Sequence, residues 1–101
     1  MANGADINLR NGKGWTPLIV ASFYGAVEAM ITLIENGADI DMPNFKGTTP
    51  LMYAMKNFEN TNQRLGFDFL LENGANKKLR DGHNLSIEDY ARLRKVFGLL
   101  S

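Results

Sequence analysis

Gly14-Trp15-Thr16-Pro17-Leu18 opens a stretch that runs through Ala21 and Gly25 and closes as Glu35-Asn36-Gly37-Ala38-Asp39-Ile40-Asp41. Its two ends recur elsewhere in the chain. Thr16-Pro17-Leu18 returns 33 residues later as Thr49-Pro50-Leu51, and Asn3-Gly4-Ala5-Asp6-Ile7 returns at the same spacing as Asn36-Gly37-Ala38-Asp39-Ile40. Asn73-Gly74-Ala75-Asn76 is a third copy, 37 residues beyond Asn36. Two separate motifs that share one period mark a repeat architecture. Each motif also has a local reason. Thr16 can cap a helix by accepting from a first-turn amide, and Pro17 then sits where its missing N–H costs nothing. Gly37 and Gly74 follow apolar runs, as the end of a helix prefers.

These motifs resemble the ankyrin repeat: Gly-x-Thr-Pro-Leu, then Ala, a mid-repeat Gly, an apolar helix, and Gly-Ala-Asp. The first full copy carries Gly14, Thr16, Pro17, Leu18, Ala21, Gly25, Leu33, Ile34, Gly37, Ala38 and Asp39. It departs at Ile19 and Ala26, where the family usually has His. The second carries Gly47, Thr49, Pro50, Leu51, Ala54, Leu70, Leu71, Gly74 and Ala75. The resemblance implies a mainly α solenoid of about three repeats, the first partial, with helix pairs joined by β-hairpin-like loops. Residues 1–8 would end a preceding repeat, 9–41 form repeat one and 42–78 repeat two with a four-residue insertion. Residues 79–101 would form a degenerate C-terminal capping repeat.

Within that frame, Asn8 to Trp15 reads as a hairpin-like loop. Repeat one predicts helices over about Pro17–Tyr24 and Val27–Asn36. Val27, Met30, Ile31 and Ile34 fall at i, i+3, i+4, i+7 and make one apolar face, which Ala29 and Leu33 widen. A terminal solenoid repeat normally turns a polar face outward. So wide a face predicts either a further repeat upstream or self-association through repeat one. In repeat two the first helix is expected over about Pro50–Lys56. The polar run Asn57-Phe58-Glu59-Asn60-Thr61-Asn62 is then expected to lengthen the inter-helix loop, as a neutral insertion or a partner-contacting one. In the last repeat Ser86-Ile87-Glu88-Asp89-Tyr90-Ala91 replaces Thr-Pro-Leu-x-x-Ala. Ser86 can cap, and the acids after it suit the positive end of the helix dipole. That helix is either continuous from Ile87 or followed by a short second one at Val96–Leu100.

Composition bounds the function. Eleven Lys and Arg balance eleven Asp and Glu, so no basic excess points to nucleic acid. Without cysteine there is no disulfide framework or thiolate metal site, and a reducing, cytoplasm-like compartment is the expected location. The longest uncharged run, Trp15 to Val27, is too short to span a bilayer. His83, the only histidine, sits in a turn. Gly12-Lys13-Gly14 lacks the spacing of a phosphate loop. Asp39 reads as structural, and Asn84-Leu85-Ser86 as a chance match to a glycosylation acceptor. No catalytic constellation, metal site or cofactor is expected.

The ankyrin resemblance implies instead that a partner protein meets the concave side, formed by loop tips and the exposed faces of the first helices. Its variable positions map to Arg10, Lys13, Trp15, Phe23 and Tyr24 in repeat one, and to Phe45, Lys46, Thr48, Lys56 and Asn57 in repeat two. In the last repeat they fall on Arg80, His83, Leu85 and Arg94. Exposed Trp and Tyr with Arg are what interface hot spots favour, so the expected partner has an apolar anchor and acidic flanks. Trp15 and Phe45, on loop tips, are expected to be exposed. Phe23 and Tyr24 are open to either reading, packed against neighbouring helices or exposed. An alternative function is that of a scaffold segment in a larger, multidomain and even enzymatic chain, making only intramolecular contacts.

Overall fold

The computed structural model describes residues 6–100, the last six of these by backbone alone. Five helices follow in order: α1 (Pro17–Tyr24), α2 (Val27–Glu35), α3 (Pro50–Thr61), α4 (Leu65–Glu72) and α5 (Ile87–Leu100). No strand occurs among the described residues.

The start and stop signals act as the repeat requires. Thr16 Oγ1 accepts from the Ile19 amide at 3.2 Å, and Thr49 Oγ1 from the Met52 amide at 3.3 Å. Pro17 and Pro50 occupy the first helical positions. α2 and α4 end alike. Ala38 N–H donates to Leu33 O and Gly37 N–H to Ile34 O, and Ala75 and Gly74 do the same to Leu70 and Leu71. This Schellman closure needs a left-handed residue after the cap, which Gly37 supplies at φ 91° and Gly74 at φ 89°. Ser86 Oγ accepts from the Asp89 amide at 3.3 Å while the Asp89 carboxylate accepts from the Ser86 amide at 2.9 Å. That reciprocal pair starts α5, which runs without a break to Leu100.

The helices stack as two rows. α1 lies along α3, α2 against α1 and α4, and α3 against α4. Equivalent side chains fill the core at the period of the sequence, Leu18 with Leu51 and Ala21 with Ala54, and Met30 and Leu70 of the second helices are fully enclosed. Each such large side chain contributes about 1.5–3 kcal/mol.

One expectation changes. The insertion does not lengthen a loop: α3 continues to Thr61 and only residues 62–64 separate it from α4. Four residues are close to one helical turn, so the insertion is absorbed as helix. The apolar face of α2 is partly covered by two neighbours, with Val27, Ile31, Leu33 and Ile34 half-buried. Met30 is buried between α1 and α4 beside Gly66, where a Cβ would lie 3.2 Å from its sulfur, and Leu33 and Ile34 pack on the core. No large apolar side chain of α2 is exposed. The motif at Asn3-Gly4-Ala5, the expected end of a preceding repeat, lies outside the described residues. Its continuation matches the later copy: Asp6 Oδ1 accepts from the Asn8 amide as Asp39 Oδ1 does from the Asp41 amide.

The hairpin-like loops are Asx turns. Asn11 Oδ1 accepts from the amides of Lys13 and Trp15, Asn44 Oδ1 from those of Lys46 and Thr48, and Asp81 Oδ1 from those of His83 and Leu85, all at 2.9–3.1 Å. The local side-chain bond substitutes for a strand ladder.

Candidate functional site

The loop tips and the exposed sides of α1, α3 and α5 form one continuous face. Over repeats one and two it carries an aromatic cluster. Trp15 lies 4.9 Å from Tyr53 and 5.3 Å from Phe23, centroid to centroid, and Phe23 meets Tyr24 edge-on at 5.0 Å. Trp15 is therefore half-buried rather than exposed, because Tyr53 rises from α3 to meet it. Phe23 is 38% exposed and packed on three sides, and Tyr24 is 71% exposed at the rim. Tyr53 was not among the residues singled out from sequence. Its signal was its recurrence as Tyr90, 37 residues on, in the register of Asn36 and Asn73.

Phe45 is 70% exposed, as its place on a tip predicts, and its ring rests over Gly14. Arg10 sits above that ring at 5.6 Å and donates from Nε and Nη2 to Pro43 O at 3.1 and 2.7 Å. The guanidinium thus ties two successive loops together and is held in place while keeping its charge. Lys13 is exposed beside them. Asn57, expected in a loop, stands on α3 and donates to Phe23 O at 3.3 Å. Arg80 is also committed, donating to Asn84 O and the Asp89 carboxylate.

Between α3 and α5 the face opens into a groove of about 920 Å³. Lys46, Thr48, Lys56 and His83 come together on its walls. Met52, Tyr53, Met55, Tyr90 and Leu93 line it as well. Two acids line it, and both are occupied. Glu59 accepts from Arg94, and Asp81 takes two amides on Oδ1 and the Tyr90 hydroxyl on Oδ2. Burial pushes the Asp81 carboxyl up, but the Tyr90 hydroxyl and the Leu85 and His83 amides outweigh it and hold it below the usual range. Tyr90 is pushed up to about 12 by burial and by Asp81.

A family model described as ankyrin repeats in three copies matches residues 1–81. The chain belongs to the ankyrin repeat family. Comparison with curated proteins gives no match. Ankyrin repeats are in general protein–protein interaction modules and typically non-catalytic. In this ankyrin chain Glu59 joins α3 to α5 through Arg94, and Asp81 joins the last loop to α5 through Tyr90. Among the described residues no three His, Asp or Glu side chains gather as a metal site, and no helix is long and apolar enough to cross a membrane.

Proposed function

We propose that this chain is a non-catalytic module that binds another protein on the concave face, with Trp15, Phe23, Tyr24 and Tyr53 as its apolar anchor point. The observation that supports this most is the pre-packed aromatic cluster with Tyr24 at its open rim. Aromatic side chains already fixed by their neighbours lose little conformational freedom on binding, so more of the contact energy becomes affinity. Lys13, Lys46 and Lys56 surround the face with exposed positive charge, which suits a partner carrying acidic flanks. The same reading keeps Phe45, Thr48, Asn57, Arg10, Arg80 and His83 on the binding face, with Arg10, Asn57 and Arg80 acting by holding it in shape.

The test uses peptides selected from a random library against the wild-type chain. Tyr24→Ala should weaken their binding about tenfold or more, as truncation of a central aromatic does, and leave the melting temperature unchanged. Selected peptides that bind Tyr24→Ala and Phe23→Ala as well as wild type would overturn the reading.

A further inference from the structure

The two walls of the groove are helical stripes. On α3 the lining residues Met52, Met55, Lys56, Glu59 and Asn60 fall at i, i+3, i+4, i+7 and i+8, with Tyr53 of the aromatic cluster beside them, and on α5 Tyr90, Leu93 and Arg94 fall at i, i+3 and i+4. That is the spacing of one helix face. On its other side α3 has α1 packed along it, whereas toward α5 it makes only sparse contact and the space of about 920 Å³ stays open. Two helix faces with a gap between them have the shape that receives a third helix. Met55 suits such a seat, because its unbranched side chain adapts to what it meets.

The charge on the walls sets the sign of the occupant. The groove's acids are internally satisfied, Glu59 by Arg94 and Asp81 by its turn amides and Tyr90. Lys46 and Lys56 are exposed and enter no ion pair among the described residues. The charge left unanswered is therefore positive.

We propose that the groove between α3 and α5 seats one amphipathic helix of a partner protein. Its apolar face lies on Met55, Tyr90 and Leu93, and its acidic side chains reach Lys46 and Lys56. This rests on the protein-binding reading above and adds a place and a partner chemistry to it.

The experiment uses two synthetic peptides of about 15 residues, long enough to hold helical structure. Both carry leucine on one face; one is flanked by glutamate and its twin by lysine. Fluorescence anisotropy against the full chain should show the acidic peptide binding at least about tenfold more tightly than the twin, a gap of about 1.4 kcal/mol. Lys56→Glu should narrow or invert that preference, and Leu93→Asp should abolish binding of both peptides. Both positions are exposed, and unchanged far-UV circular dichroism checks that the variants fold. Thr32→Ala, at an exposed position of α2 outside the groove lining, should leave the acidic peptide's affinity as it was. Equal binding of the twins, indifference to Lys56→Glu, or no binding of the acidic peptide would overturn the groove assignment. If Tyr24→Ala removes binding and Lys56→Glu does not, the helix belongs to the aromatic cluster, and protein binding stands without the groove. If library peptides also ignore the cluster, both readings fall.

Discussion

Asn44 and Asp81 occupy one place in successive repeats and solve one problem with two chemistries. Each turns its loop through Oδ1, and each meets a tyrosine of the following helix. Asn44 Nδ2 donates to Tyr53 Oη at 3.0 Å, while Asp81 Oδ2 accepts from the Tyr90 hydroxyl. Repeat two is thus a natural control for Asp81→Asn, which should keep the turn and the tyrosine contact and melt close to wild type at neutral pH. Asp81→Ala leaves two amides and a hydroxyl without their acceptor and should cost about 1–3 kcal/mol in denaturant unfolding. The pH dependence follows from the direction of the shifts. Asp81 and Asp89 are held below the ordinary carboxylate range. Their stabilisation is present above the unfolded-state value of about 3.9 and is lost as pH falls through the folded-state value. Melting temperature should therefore drop below about pH 4, less steeply in Asp81→Asn. Tyr90 acts at the other end: its stabilisation is present below the unfolded value of 10.0 and is lost as pH rises toward about 12. Gly14 gives a second residue-level test. It has φ 81°, and a Cβ there would lie 2.6 Å from the Phe45 ring, whereas Gly37 at φ 91° has open space around it. Gly37→Ala should cost about 1–2 kcal/mol of backbone strain. Gly14→Ala should cost more, and a double-mutant cycle with Phe45→Ala should recover part of the excess.

At the scale of the element, α3 decides most. Its polar, asparagine-rich end reads as loop from composition, and tertiary contacts make it helix. Phe58 on the added turn packs 6.1 Å from Phe67 of α4, with the Arg64 guanidinium 5.7 Å from its ring. Asn57 reaches Phe23 O, and Glu59 takes Arg94. The helical spacing was present in Leu51, Ala54, Met55 and Phe58, at i, i+3, i+4 and i+7; the abundance of asparagine, a poor helix former, obscured it. Phe58→Ala should destabilise by about 1–2 kcal/mol, the scale of a half-buried aromatic contact, and should lower helical circular dichroism as the last turn frays. α1 was legible because its signals are local: Thr16 caps, Pro17 starts and Gly25 ends it at φ 68°. α2 has no side-chain cap and is held by Met30, Leu33 and Ile34 against its neighbours.

Across the whole molecule the stack is tight from α1 to α4 and looser at α5, which among the described residues meets α3 sparsely and closes on it through Glu59–Arg94, while Asp81–Tyr90 ties α5 to its own loop. A solenoid is stable repeat by repeat, through neighbour contacts, so amides of α5 should exchange with solvent at lower opening free energy than those of α1 and α3. Arg94→Ala should speed α5 exchange while leaving α1 unaffected; equal acceleration in both would show the stack opening as one unit. The sequence by itself determined the period, the starts of α1, α3 and α5, the stops of α1, α2 and α4, and the family, because caps, prolines and positive-φ glycines act within a few residues of themselves. It also marked the concave residues, through the resemblance. Only the tertiary structure decided which of them are free. Trp15, Arg10, Asn57 and Arg80 are drawn into contacts with residues from other turns and helices, while Tyr24, Phe45, Lys46 and Lys56 remain outward. The groove is legible only there as well, since the gap between α3 and α5 depends on how far apart two helices are held, and that distance is set by side chains that meet only in the fold.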